Sequence, residues 1–451
     1  MKLFSLRLTT LKSKLYAIVF ASLVVRVVAF FLLPSTPSKL APDESIYSAL
    51  TEWIADGRPA DEFSYGNLYV SSKTLILPAS ILNGVGVNGL NSIRIISTLY
   101  ALILMLLIVY LLLKLNDTRP VLHEFFSQNE KVAPSLLIVF GFLPSHFGWS
   151  ILGLRESVLE FWVVCTFVLL YLLYEKRNSH SPFLLLGIGI TITLTSASRP
   201  QIGLVLGFTL FFYSLGRINS KTSKSLLLIV LISTFLGNAI TAPVTKYESE
   251  VHICESESAI ITTSNMDYSC KTEIQIKTEI KIENPATTIL NEVEGIPVRN
   301  QLNKLDAASA IKTQNCPHEE VSKIGRYLCM SWRAPYTTGT FLFRPIIGAD
   351  VTSSTSLFAA IENIFWLSAF FFVILMFTRN RRLAFFGPLV PSLMFFSIYS
   401  VAAGAYEGNM GTAFRHKSLI LWVVLLLIAS TIVATQQRKA QQQGISGSSQ
   451  E

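Results

Sequence analysis

Long apolar runs separated by short polar connections dominate the chain. A membrane span needs roughly 20 apolar residues, and about ten runs approach that length: 15–33, 95–114, 135–150, 156–174, 183–198, 201–216, 225–243, 356–377, 383–403 and 418–435. Lysine and arginine then set the orientation, because short cytoplasmic loops carry the excess of positive charge. Lys2, Arg7, Lys12 and Lys14 place the N-terminus inside, and the basic connections 114–131, 175–178, 217–224, 379–382 and 438–439 fall on the same side. The expected fold is an all-α polytopic bundle with both termini cytoplasmic, in the plasma (inner) membrane.

Two segments assigned to the outer face are long enough to hold structure. In the first loop, 34–94, the stretch PDESIYSALTEWIADGRP repeats Ile46, Leu50, Trp53 and Ile54 at helical spacing, which predicts an amphipathic helix at the interface. A second half-buried apolar segment follows over 75–87. The other segment, 243–355, is a polar insert. Its TEIQIKTEIKIEN alternates apolar and charged residues, which predicts a small mixed or β-rich subdomain. The domains are therefore an N-terminal bundle (1–242), this insert, the C-terminal helices (356–435) and a polar, low-complexity tail (436–451).

Composition agrees: 51% hydrophobic and 15% charged residues are too apolar for a soluble chain of 451 residues. The formal charge of +8 is accounted for by positive-inside anchoring and calls for no nucleic-acid partner. The first run lacks a small-residue cleavage site and reads as an uncleaved span. Arg26 within it must face protein or snorkel to the interface, and a structural partner is the expectation. Cys254, Cys270, Cys316 and Cys329 lie in the insert and Cys165 in a span, a partition that predicts disulfides in an oxidising compartment with three pairings open.

With the spans laid out, Asp43, Glu44, Arg155, Glu156, Arg199, Arg344, Glu362, Glu407, Arg415 and His416 all fall at the outer face. Asp43 is also a good helix cap, and Glu156, Glu160 or Glu362 would satisfy some of the arginines internally. Five cationic residues beside these acids leave room for a phosphate. No metal-ligand spacing is present, although Asp43 and Glu44 together would accommodate a divalent cation.

The DE pair followed by Tyr47, then YGNLYV with Tyr69, then SIRIISTLYALILMLLIVYLL, together with the closing EGNMGTAFRHKSLILW, resembles the GT-C superfamily of membrane glycosyltransferases. These include protein O-mannosyltransferase-like and aminoarabinose-transferase-like enzymes that use polyprenyl-phosphate sugars. The resemblance covers about residues 15–215 and the last outer loop. LPSHFGWSILGLRES, SRPQIG, FRPIIGAD and the insert depart from the well-studied members and point to a divergent, bacterial-type branch.

The resemblance implies a polyprenyl-phosphate-linked sugar as donor and an extracytoplasmic acceptor, with no required cofactor. Asp43 matches the acidic residue of the first loop, with Glu44 beside it. Arg155, Arg199, Arg415 and His416 are the expected donor-phosphate ligands, and Tyr47, Tyr69, Arg344 and Glu407 the expected substrate or lid residues. Glu362 is the expected ion-pair partner of Arg344. Two other classes share the outward arginines: a lipid-linked oligosaccharide polymerase or ligase, and a transporter or flippase. A transporter should show matched, broken repeats, and the sequence has no internal repeat.

Overall fold

The computed structural model describes residues 11–36, 43–63, 69, 72–118, 131–175, 181–216, 221–241, 323–347, 350–351, 354–379, 389–406 and 413–428. Among them every long regular element is an α-helix: α1 (Leu11–Leu32), α2 (Asp43–Ala55), α3 (Lys73–Gly84), α4 (Gly89–Thr118), α5 (Val132–Phe142), α6 (Pro144–Ile151), α7 (Glu156–Glu175), α8 (Pro182–Ser198), α9 (Pro200–Leu215), α10 (Lys221–Thr241), α11 (Lys323–Phe343), α12 (Ser354–Arg379), α13 (Leu389–Tyr406) and α14 (413–428). Among the described residues three stretches are long and apolar enough to cross a bilayer, Leu11–Leu32, Gly89–Leu113 and Glu156–Leu173, and the bent pair α5–α6 makes a fourth if taken as one span. This is an all-α membrane protein.

The pattern behind these helices is local. The run expected as one span over 135–150 is broken, and its two halves meet at a 48° bend. Pro144 has no amide proton to continue the ladder, and Leu143 before it is pushed to φ −61°, ψ 132°. The same rule separates α8 from α9, where Arg199 is extended ahead of Pro200. Leucine and phenylalanine sit on every side of the central helices, as expected for a bundle surrounded by hydrocarbon.

The large core lies among α1, α4, α5 and α7–α14 and includes Leu15, Phe140, Val163, Leu206, Trp366, Phe395 and Trp422. A smaller cluster covers one end, where Tyr47, Leu50, Leu75, Ile76, Ile93, Trp149, Leu154 and Phe414 bring α2, α3, α4, α6 and α14 together. The amphipathic helix forms as α2, with Leu50 buried and Ile46, Trp53 and Ile54 half-buried. The following segment forms α3, too short to span.

Of the polar insert, 243–322 lies outside the described residues, as do the alternating segment and Cys254, Cys270 and Cys316. The C-terminal end of the insert is α11. It packs along α13 and contributes Phe341 and Leu342 to the main core. Cys329 in α11 is disulfide-bonded, while Cys165 in α7 is free.

Candidate functional site

The smaller core cluster carries a group of charges. Asp43 opens α2, and its Oδ2 accepts a hydrogen bond from Arg415 Nη1 at 2.7 Å. Arg415 lies in α14, which is already helical at 413, ahead of the expected 418, so Arg415, His416 and Lys417 belong to the helix itself. Arg155 and Glu156 arrive through the turn between α6 and α7. Gly153 makes that turn at φ +64°, and a Cβ there would come within 2.8 Å of the Ile93 side chain.

Arg155 interacts electrostatically with Tyr47, Glu156, Asp43 and Arg415. The five side chains form one coupled cluster. Tyr47 and Glu156 are buried, whereas the Asp43 side chain is 39% exposed and that of Arg415 17% exposed, so the Asp43–Arg415 pair is the open side of the cluster. Burial pushes the Tyr47 phenol up, and the nearby Glu156 and Asp43 carboxylates add to this against the pull of Arg155. Burial works to lower the Arg155 guanidinium, but attraction to Tyr47, Glu156 and Asp43 outweighs it and the group is held above its usual range. Glu156 Oε2 is buried with no hydrogen-bond partner.

The other expected site residues are placed differently. Glu44 is fully buried on the inner side of α2, where Arg94 of α4 grips both its oxygens through Nε at 2.6 Å and Nη2 at 3.2 Å. Arg94 also donates to the Pro34 and Thr36 carbonyls, pinning the end of the chain leaving α1. Asp43 and Glu44, adjacent in sequence, thus engage different guanidiniums and are not presented together to one divalent cation. Glu44 is a structural anchor in this geometry.

Arg199 and His416 contact each other through Nη1 and Nε2, both buried, and Tyr399 Oη donates to the His416 carbonyl at 3.2 Å. Arg344 pairs with Asp350, not with the expected Glu362. Asp350 Oδ2 accepts from Arg344 Nε at 2.9 Å and from the Ile346 amide at 2.8 Å. Hydrogen bonding to Arg344 holds the Asp350 carboxyl below the usual carboxylate range, and its burial opposes this only in part. Glu362 instead takes the Ser145 amide at 2.6 Å, at the N-terminus of α6, and Trp366 Nε1 at 3.2 Å. Tyr69 is half-buried with Lys73 Nζ 5.7 Å from its ring centre. Glu407 lies outside the described residues.

Three consecutive side chains of α14 therefore point to three separate anchors. Arg415 holds α2, His416 holds the α8–α9 turn, and Lys417 donates to the Arg344 carbonyl at 2.5 Å and to Asn363 Oδ1 at 2.9 Å. Arg94, Lys417 and Asp350 carry no signal in the sequence beyond being charges at the ends of apolar runs. The buried pair His146–Glu160, with Nδ1 2.8 Å from Oε2, likewise has no signature in the sequence. Arg26 finds neutral partners, Ser22, Ser150 Oγ at 3.0 Å and the Gly141 carbonyl at 3.1 Å.

No protein-family model, curated protein or solved structure matches the chain.

Proposed function

We propose that the chain is an integral membrane glycosyltransferase of GT-C type that moves a sugar from a polyprenyl-phosphate donor to an extracytoplasmic acceptor. The reading takes the full set of about ten spans, with both termini cytoplasmic, from the sequence. The observation that carries it is the Asp43–Arg415 pair, part-exposed and backed by Arg155 and Glu156, at one end of an apolar bundle. Two guanidiniums face two carboxylates there. A phosphate entering on Arg415 takes the place that the Asp43 carboxylate occupies, so donor binding both fills the cationic site and frees an acid beside it.

In the resulting step the acceptor hydroxyl oxygen attacks the anomeric carbon while the bond from that carbon to the phosphate oxygen breaks. The electron pair leaves with the polyprenyl phosphate, whose growing charge Arg415 and Arg155 stabilise. Asp43 receives the hydroxyl proton. A single displacement inverts the anomeric centre. Tyr47, buried between Arg155 and the two acids, holds the cluster in register, and Glu156 keeps Arg155 in place. The resemblance of the first loop and the last outer loop to GT-C enzymes supports the same assignment. The buried Arg199–His416 contact is the feature that favours the other reading, a lipid-linked oligosaccharide polymerase or ligase, since such enzymes also need cations to hold a prenyl diphosphate.

The test is transfer by the purified chain in nanodiscs with a panel of radiolabelled polyprenyl-monophosphate sugars, comparing wild type with Asp43→Asn. Transfer that disappears in the variant while donor binding persists is the expected result. Consumption of prenyl-diphosphate glycans alone would move the assignment to the polymerase, and no consumption of either donor would remove the enzyme reading.

A further inference from the structure

A groove of about 630 Å³ runs between α1 and α5, within the size range of small-molecule and lipid sites. One wall is Lys14, Ala17, Ile18 and Ala21 of α1, and the other is Lys131, just ahead of α5, with Pro134, Ser135, Ile138 and Phe142 of α5. These recur at intervals of three and four residues, so each set lies on one helix face. The alanines, Pro134 and Ser135 leave the space, and among the described residues the lining is apolar apart from Ser135 and the two lysines.

The lysines lie at the same end. Gly141 of α5 is level with α1 at Ser22 and Arg26, because the Arg26 guanidinium donates to the Gly141 carbonyl at 3.1 Å and a Cβ on Gly141 would lie 3.7 Å from Ser22 Oγ. Moving back from that level toward both N-termini, eight residues on α1 reach Lys14 and ten on α5 reach Lys131. The helices are parallel, and an apolar trough opens from a pair of ammonium groups. That end belongs to the leaflet opposite the Asp43–Arg415 cluster: the 18 residues from Lys14 to Leu32 rise about 27 Å along α1, and the cluster lies beyond Leu32. A lipid headgroup at the lysines is thus a different molecule from one held at the arginines.

We infer that this groove is a binding site for an anionic phospholipid, with the phosphate headgroup on Lys14 and Lys131 and one acyl chain along the trough to Phe142. Charge complementarity selects the occupant. Among the described residues both charged side chains lining the groove are cations, and basic pockets between spans on the positive-inside face favour anionic headgroups over zwitterionic ones. The inference takes its orientation from the basic connections of the sequence and is independent of the glycosyltransferase reading.

The experiment is native mass spectrometry of the purified full chain released from micelles containing equal phosphatidylglycerol and phosphatidylcholine, with glycerophosphate alone as a separate arm. Wild type should retain one phosphatidylglycerol in preference, and Lys14→Gln with Lys131→Gln should reduce that preference by roughly thirtyfold, from the attraction of two lysines at a membrane surface. Ala17→Phe with Ala21→Phe fills the trough on the lipid-facing side of α1 without touching charge, and should evict the lipid while the unfolding temperature holds. Equal retention of both lipids by wild type, or a preference that survives both double variants, overturns the site. Retention of glycerophosphate to the same degree as the lipid would reduce it to an anion site. Displacement of phosphatidylglycerol by an equal concentration of polyprenyl phosphate would overturn the choice of occupant.

Discussion

Arg415 donates to Asp43 across 372 positions of sequence, at 2.7 Å, and this bond ties the last described helix to α2. Its exposure shapes what its loss should do. A part-exposed ion pair contributes at most about 1 kcal/mol, so Asp43→Asn should lower thermal stability little while removing any chemistry that needs the carboxylate. Scanning fluorimetry of the purified variant beside the transfer assay separates the two effects. A large stability loss would instead make Asp43 a strut.

Glu44 predicts the opposite balance. The Glu44–Arg94 pair is fully buried, and removing one partner leaves an uncompensated charge at a cost of about 3–5 kcal/mol. Glu44→Gln or Arg94→Met alone should therefore lower the unfolding temperature strongly, and the combined Glu44→Leu, Arg94→Met protein should recover much of the loss. Equal stability of the single and double variants would show that the pair is not coupled in this way.

The sequence makes the bundle helices legible because each is a run of apolar residues with its own start and stop, whereas α11, inside the stretch expected to be mixed or β-rich, is not such a run. Pro144 and Pro200 even mark the two breaks, although 135–150 reads as one span when its length is counted without the proline rule. The meeting of Asp43, Arg155, Glu156 and Arg415 accords with the common face that the basic connections assign them. Which charge meets which is not legible. Asp43 and Glu44 are neighbours in sequence and helical geometry turns them about 100° apart, one to Arg415 and one to Arg94. Arg344 finds Asp350 six residues along instead of Glu362, because the short turn after α11 folds back on itself before α12 begins. Pairings of this kind are decided by tertiary packing, which no local pattern encodes.

Gly89 should tolerate no side chain. A Cβ there would lie 2.6 Å from the Ser48 carbonyl oxygen and 2.7 Å from the Glu52 side chain, and the Gly89 amide donates to Glu52 Oε1 at 3.0 Å. Gly89→Ala would push α4 away from α2 and should cost about 1–3 kcal/mol, the usual range for overpacking. Gly148→Ala, which meets nothing within 4 Å, serves as the control and should be neutral or slightly stabilising. Thermal unfolding of the two variants in the same detergent gives the comparison, and similar shifts in both would remove the close approach of α2 and α4 as the reason for the glycine.

The turn between α11 and α12 should loosen in acid. Asp350 is held below the ordinary carboxylate value by its hydrogen bonds to Arg344 and the Ile346 amide. A carboxyl with a depressed folded value contributes stability that is fully present above its unfolded value, about 3.9, and is lost as pH falls below that toward the folded value. Hydrogen exchange over 344–351 should therefore be unchanged from pH 7 to 5 once corrected for intrinsic rates, then rise in excess of that correction below about pH 4. Asp350→Asn should show raised exchange already at pH 7 and lose the acid transition, because the amide cannot form the charge-assisted bond to Arg344. The same variant should also weaken the hold of Lys417 on the Arg344 carbonyl, 2.5 Å away, so the loosening should extend to the first turn of α14. A protection pattern at 413–418 that ignores Asp350→Asn would confine the effect to the turn itself.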